Sequence, residues 1–167
     1  MKTNRRIIEL YYALEDGALK GVLEGKILMF KNIKQIEAYV YPMIESKKII
    51  DKMLANYHSE LMSLYQEYKV EFIGNQPTIP KFVKNEDGTF DTNRIDPKFL
   101  EFQEKDDKIL ADNKALLAKY KSDIESFEEL MDKIIDTEFS FVSIPKELIP
   151  DDINSLPLLE FGIIEIN

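Results

Sequence analysis

The sequence contains no cysteine, no tryptophan and a single histidine, His58. Without cysteine there is no disulfide, no thiol nucleophile and no cysteine-ligated zinc or iron–sulfur centre. With one histidine, a two-histidine metal site is excluded, and His58 has no orienting carboxylate in its local sequence for a catalytic triad. It adjoins Tyr57 on a helical stretch and is expected to be exposed. No glycine-rich phosphate-cradling motif is present. No run reaches the ~18 apolar residues of a membrane span. In the opening "MKTNRRIIELYYALEDG" acids follow before any apolar core of signal-peptide length, so it reads as mature sequence. Basic charge is also in short supply: 22 Lys and Arg stand against 31 Asp and Glu, a net charge of −9. That argues against direct binding of the phosphate backbone, which needs a basic face, and leaves open a carboxylate surface that imitates nucleic acid.

What is abundant is helical periodicity. Alternate steps of four and three from Met29 reach Ile33, Ile36, Val40, Met43, Lys47, Ile50, Leu54, Tyr57, Leu61, Leu64 and Tyr68. Such spacing over more than five heptads is a coiled-coil seam, with Lys47 its one polar member at an a position. The stem of Lys47 is expected to pack while its ammonium reaches solvent. Pro42 removes a helical hydrogen bond and is expected to kink this helix. A second seam runs through Leu110, Asn113, Leu117, Tyr120, Ile124, Phe127, Met131 and Ile134, with Asn113 its polar member and Phe99 and Phe102 extending it upstream. Asp96 and Pro97 form a helix start, as N-cap and first helical residue. Tyr39, Tyr41, Ile44, Ile49, Tyr65 and Leu116 lie off the seams and call for further cover, from the chain ends or from another subunit.

Between the helices, "VEFIG" and "TIPKFVK" have strand character, and "GTFDT" can return from "KFVK". The stretch "KNEDGTFDTNRID" resembles a calcium loop in composition. With Gly88 at the sixth position, however, Val83 stands at the first and Arg94 at the twelfth, where acids are required. It reads instead as a hairpin turn, with Asp87 and Gly88 supplying positive φ angles. After the second helix, "EFSFVSI" (138–144) alternates like a half-buried strand, prolines forbid a long helix in "PKELIPDDINSLP", and "LLEFGIIEIN" reads as a docked end with strand character.

The expected fold is therefore mainly α with small β elements (α+β). A long antiparallel helical hairpin or coiled coil carries a β-ribbon at its tip and a C-terminal strand-containing segment. One domain spans 1–167: an N-terminal helix and glycine-rich joint (1–25, stopped at Gly17 and anchored by Leu19, Val22 and Leu23), a long helix (26–68), a β-hairpin connection (69–96), a long helix (97–136) and a strand and proline-rich segment (137–167). The terminal strands and those of 70–91 are expected to form ribbons at opposite ends of the hairpin. Neighbouring acids such as Asp106 and Asp107 do not face each other on a helix, so no catalytic residue, cofactor or metal is expected, and no enzyme.

The order of elements resembles a family of small phage and prophage proteins of unknown function from tailed phages of Gram-positive bacteria. The resemblance rests on "NRRIIELYYAL", "KILMFKNIKQIE", a long helix, the "DGTF" turn, a second long helix, and "FEELMDKIID" running into "EFSFVSIPKELIPDDI". It implies a phage setting, in the host cytoplasm and, for a structural role, the virion, and it implies no activity. Two functions follow as expectations. One is a virion structural or assembly protein acting through protein–protein interaction, as a homo-oligomer or on another phage protein. The other is an inhibitor of a host enzyme or defence system, working through its acidic surface. A chaperone that grips clients with its tips is a third. Neither direct nucleic-acid binding nor membrane binding is expected. The interaction residues singled out are Tyr39, Tyr41, Lys47, Tyr65 and Asn113.

Overall fold

The computed structural model describes residues 1–15 and 23–164. The glycine-rich joint expected around Gly17, Leu19 and Val22 lies outside the described residues, as do the last three positions. The architecture is mainly helical with two small antiparallel sheets. In order it comprises α1 (Asn4–Glu15), α2 (Leu23–Lys52), α3 (Ala55–Glu67), β1 (Glu71–Ile73), β2 (Gln76–Thr78), β3 (Phe82–Lys84), β4 (Phe90–Ile95), α4 (Pro97–Asp112), α5 (Lys114–Asp132), a 3-10 turn (Lys146–Leu148) and α6 (Leu156–Glu160). The chain divides into two compact units: Met1–Ile49 with Asp123–Asn167, and Ile50–Ser122.

The first unit holds most of the core. On α1, Ile7, Leu10, Tyr11 and Leu14 are buried, and α1 packs on α6. Met29, Ile36, Val40 and Met43 of α2, Phe127 and Met131 of α5, and Ile144, Ile149, Leu158 and Ile163 of the C-terminal segment complete it. Leu23, expected to anchor the joint, is exposed. The start of α1 is tied to the end of α5. The Asn4 amide donates to the Lys133 carbonyl (3.0 Å), the Ile135 amide donates to the Lys2 carbonyl (3.0 Å), and Thr3 bridges Ile134. This joins a helix start, with its free donors, to a helix end, with its free acceptors.

The helix expected across Pro42 continues there, and α2 runs to Lys52 before a break at Met53 and Leu54. Two expectations are corrected here. First, the helix expected over 97–136 is two helices, parted at Asn113. The Asn113 side chain donates to the Ile109 carbonyl (2.8 Å), capping α4 with its own amide. Second, no strand forms within 138–164. That stretch is irregular, then turns through the 3-10 turn and α6, so the ribbon expected at that end is absent among the described residues. The Phe161 carbonyl end of α6 closes on Gly162 (φ 70°), whose successor Ile163 donates to Leu158 (2.8 Å). This is the Schellman closure of a helix end.

The second unit is thin. Of its residues only Ile50, Leu64 and Phe102 are buried apolar side chains. Its α3 and α4 lie together in opposite senses: Glu60 meets Asn113 (3.1 Å) and Glu67 meets Lys105 (3.0 Å). Asp96 caps α4 by accepting from the Lys98 amide (2.9 Å), with Pro97 at the first helical position, as the sequence implied. Two hairpins follow α3. β1 pairs with β2 across Gly74 (φ 63°), and β3 pairs with β4 with a register irregularity after Phe82. The second turn is the expected one at "NEDG", but Gly88 alone takes a positive φ (87°) and Asp87 does not. The Gly88 amide donates to Asn85 (3.0 Å) and the Asn85 amide to Thr89 (2.7 Å). One left-handed residue therefore suffices to reverse the chain.

Candidate functional site

Val83 and Arg94, the misfits of the calcium pattern, lie in β3 and β4. The Asp87 carboxylate accepts from the amide (2.9 Å) and hydroxyl (2.6 Å) of Thr89, which holds its pKa below the ordinary aspartate value. It is spent on the turn. His58 is exposed, its ring tilted against Tyr57. Among the described residues no group of three or more His, Cys, Asp or Glu side chains could hold a metal ion.

The five residues singled out from the sequence fall in two groups. Tyr39, Tyr41 and Lys47 belong to the first unit. Tyr39 donates its hydroxyl to Asn4 Oδ1 and stacks edge-on against Phe139. Tyr41 packs edge-on against Tyr11 and donates to Glu37 (2.7 Å). The chain ends thus cover Tyr39, whereas Tyr41 stays 44% exposed. Lys47 sits half-buried at its seam position. Tyr65 and Asn113 belong to the second unit. Tyr65 lies between Phe72 of β1 and Phe102 of α4, with ring centroids 5.8 and 6.2 Å away, and Asn113 spans α4 and Glu60.

Two asparagines escaped the sequence reading. Asn32 is wholly buried on α2, and its side chain makes both bonds a neighbouring strand would make to Val142: Nδ2 donates to the carbonyl (2.8 Å), and Oδ1 accepts from the amide (2.7 Å). Asn4 donates through Nδ2 to Leu130 (2.8 Å) while accepting from Tyr39. The available signal was spacing. Asn32 follows Met29 by three and precedes Ile36 by four, which places an amide on the buried stripe. Both asparagines hold segments in place and neither faces an open cleft.

The second unit combines a small core with an exposed apolar surface. Seven large apolar side chains there are exposed: Met62, Phe72, Ile73, Phe90, Ile95, Leu100 and Leu110. Phe72 and Ile73 flank the Gly74 turn, and Ile73 is 73% exposed. All four strands are sheet edges, since each sheet has two strands, and edges carry unpaired backbone groups open to another chain. Below the hairpins a cleft of about 720 Å³ is lined by Tyr68, Lys69, Ile79, Pro80, Phe90 and Glu101, among others. Lys105 stands nearby, 3.0 Å from Glu67, 3.3 Å from Glu101 and 5.1 Å from the Tyr68 ring centre. Hydrogen bonding to Tyr68 and then to Glu67 raises the Lys105 pKa, while Tyr68 and Lys105 lower that of Glu101. Both therefore stay charged near neutral pH. This arrangement fixes charges beside an apolar surface, which suits binding, and offers neither a nucleophile nor a proton-transfer pair.

Comparison with family models, with curated proteins and with solved structures finds no match.

Proposed function

We propose that the chain is a non-enzymatic, phage-encoded protein that acts by protein–protein interaction, as a virion structural or assembly component. The observation that carries this reading is the imbalance in the second unit, where seven exposed large apolar side chains accompany three buried ones. Clustered exposed apolar groups on a small folded unit mark surfaces that another molecule covers. The β-hairpins, with Phe72 and Ile73 at a turn, form the contact for another phage protein. In the same reading, the two heptad seams pair as a long antiparallel hairpin that presents this tip. No helix of the described residues is long and apolar enough to cross a membrane, and the protein works in the host cytoplasm and in the assembling particle.

An inhibitory role has one observation in its favour. Between Asp123 and Glu138 seven acids are accompanied by one base, Lys133. Two of those acids, Glu128 and Asp132, are engaged by Arg5. Affinity capture from infected cells separates the readings. Assembly predicts capsid, neck or tail proteins that are lost with Phe72→Ser/Ile73→Ser. A single host nuclease, polymerase or defence protein, retained by that variant and lost with Glu125→Lys/Glu129→Lys, would overturn it in favour of inhibition.

A further inference from the structure

Helix α2 carries two stripes. One is the buried seam of Met29, Ile36, Val40 and Met43. The other starts at Leu23 and, in steps of four and three, passes through Ile27, Phe30 and Tyr41, about a third of a turn round the helix from the first. These four side chains are all exposed. The stripe also holds charges at fixed places. Lys34 and the half-buried Glu37 stand between Phe30 and Tyr41 and bond each other (2.6 Å), and Glu45 and Lys48 follow, 2.7 Å apart. The exposed Lys26 lies on its edge. At 1.5 Å per residue the stripe is roughly 38 Å long, and all of it belongs to the first unit.

The order of these residues says what can cover them. Lys26 and Lys34 precede the middle of the stripe, and Glu37 and Glu45 follow it. A partner of one sign, anionic or cationic, would meet two like charges wherever it met two opposite ones. A second copy of α2 running the other way meets none at these positions. With a two-fold axis between Gln35 and Ile36, Lys34 falls opposite Glu37 of the copy and Lys26 opposite Glu45. Phe30 then falls opposite Tyr41, Ile27 opposite the half-buried Ile44, and Lys48 beside Leu23 and Glu24. A copy running parallel in register would instead set Lys34 on Lys34 and Glu37 on Glu37.

We infer that the exposed stripe of α2 pairs with the same stripe of a second copy of the chain, antiparallel about that axis. The contact is isologous, as in most homodimers. Each Lys34–Glu37 pair lies alongside its counterpart with the signs reversed, so four charges alternate round the axis. Exposed ion pairs contribute little binding on their own. Their part is to fix direction and register, while Leu23, Ile27, Phe30 and Tyr41 supply the apolar and aromatic cover. The acidity of the chain does not oppose the contact here. From Leu23 to Lys48 there are five lysines and three glutamates, which leaves seventeen basic and twenty-eight acidic residues for the rest of the sequence. The pairing concerns the first unit and does not depend on the hairpin tip of the second being the contact for a phage protein.

Sedimentation of the full chain tests this. Wild type is expected at twice the 19.5 kDa chain mass. Lys26→Glu/Lys34→Glu and Glu37→Lys/Glu45→Lys are each expected at the chain mass, with unchanged helical circular-dichroism spectra. Mixed in equal amounts, the two variants are expected to regain the double mass, because each then faces the opposite sign. The native chain has no cysteine, so disulfide trapping gives a second readout should a charge variant fail to fold. Lys26→Cys mixed with Glu45→Cys is expected to cross-link on oxidation, and neither alone. Wild type at the chain mass overturns the inference. So do folded charge variants that stay double separately, a mixture of them that stays single, or cross-linking of Lys26→Cys alone as efficient as that of the mixture. A wild-type monomer that still captures a phage protein through Phe72 and Ile73 overturns the pairing and leaves the assembly reading standing. A dimer with the expected cross-link that captures nothing supports the pairing and overturns the assembly reading alone. A wild-type monomer whose captured protein is lost with Lys26→Glu/Lys34→Glu assigns the stripe to that protein and overturns the pairing.

Discussion

Replacing Asn32 with alanine tests how the irregular C-terminal segment is held. The amide is fully buried and makes two bonds, of 2.8 and 2.7 Å, to the backbone of Val142. Truncation removes both and strands one donor and one acceptor, each costing about 1–3 kcal/mol when buried and unmet. Val142 is 38% exposed, so water reaches its backbone and the lower part of that range applies. The expected loss is about 2–4 kcal/mol, including the small void left on α2. In a chain of this size that corresponds to a melting temperature lower by roughly 4–16 °C. Urea titration gives the free energy, and hydrogen exchange locates it: the Val142 amide, protected in wild type, should exchange early in Asn32→Ala. A loss below about 0.5 kcal/mol, the usual scatter of surface substitutions, with Val142 still protected, would refute the reasoning.

Further outcomes follow from other sites. Tyr39→Phe removes the donor to Asn4 Oδ1 and should cost about 1 kcal/mol. A double cycle with Asn4→Ala should show the two effects to be coupled, and strict additivity would count against the network. Lys69 takes a left-handed conformation (φ 50°) at the end of α3, where the Val70 amide closes on Tyr65 (2.9 Å), so Lys69→Gly should stabilise the second unit by roughly 0.5–1 kcal/mol in urea titration, and a loss would show the conformation to be unstrained. Burial, and secondarily Asp107, raises the pKa of Asp106. The protonated form is therefore favoured in the fold, and the stability it contributes below the ordinary carboxyl range is lost as pH rises through the raised value. Asp106→Asn should melt above wild type at neutral pH and converge with it in acid. Separation that grows on acidification would reverse the sign and the argument.

The seams were the most legible part of the sequence. From Met29 to Tyr68 no seam position is exposed, because a 4-3 pattern reports which face is buried. It does not report continuity. The interruption at Met53 and Leu54 carries neither proline nor glycine, whereas Pro42, which carries the local signal, lies inside an unbroken helix. At the ends of the second seam Leu110 and Ile134 are exposed, since periodicity cannot tell whether a stripe meets a neighbour. The 138–144 stretch misled for a related reason. Its alternation is real, with Phe139 and Phe141 half-buried and Ile144 buried, but at Val142 an asparagine side chain takes the place of a partner strand. Residue patterns show that a backbone will be met, and not what meets it. Of the interaction residues, Tyr65 alone lies against a residue of the exposed hairpin surface, Phe72. The apolar tip passed unnoticed because a phenylalanine and an isoleucine in a short strand look the same whether covered or bare.

The tie between the chain's opening residues and the end of α5 also sets an order of events during synthesis. Lys2 and Asn4 find their backbone partners only at Leu130, Lys133 and Ile135. The second unit is one continuous stretch, Ile50–Ser122, and all of it emerges from the ribosome before those partners do. The small unit can therefore form while the first forty-nine residues wait, their apolar helix faces uncovered, for the remainder of their own core to be translated. Contacts so distant along the chain are slow to close, so a pause in translation after Ser122 would lengthen the interval in which α1 and the first part of α2 are most exposed to misassociation.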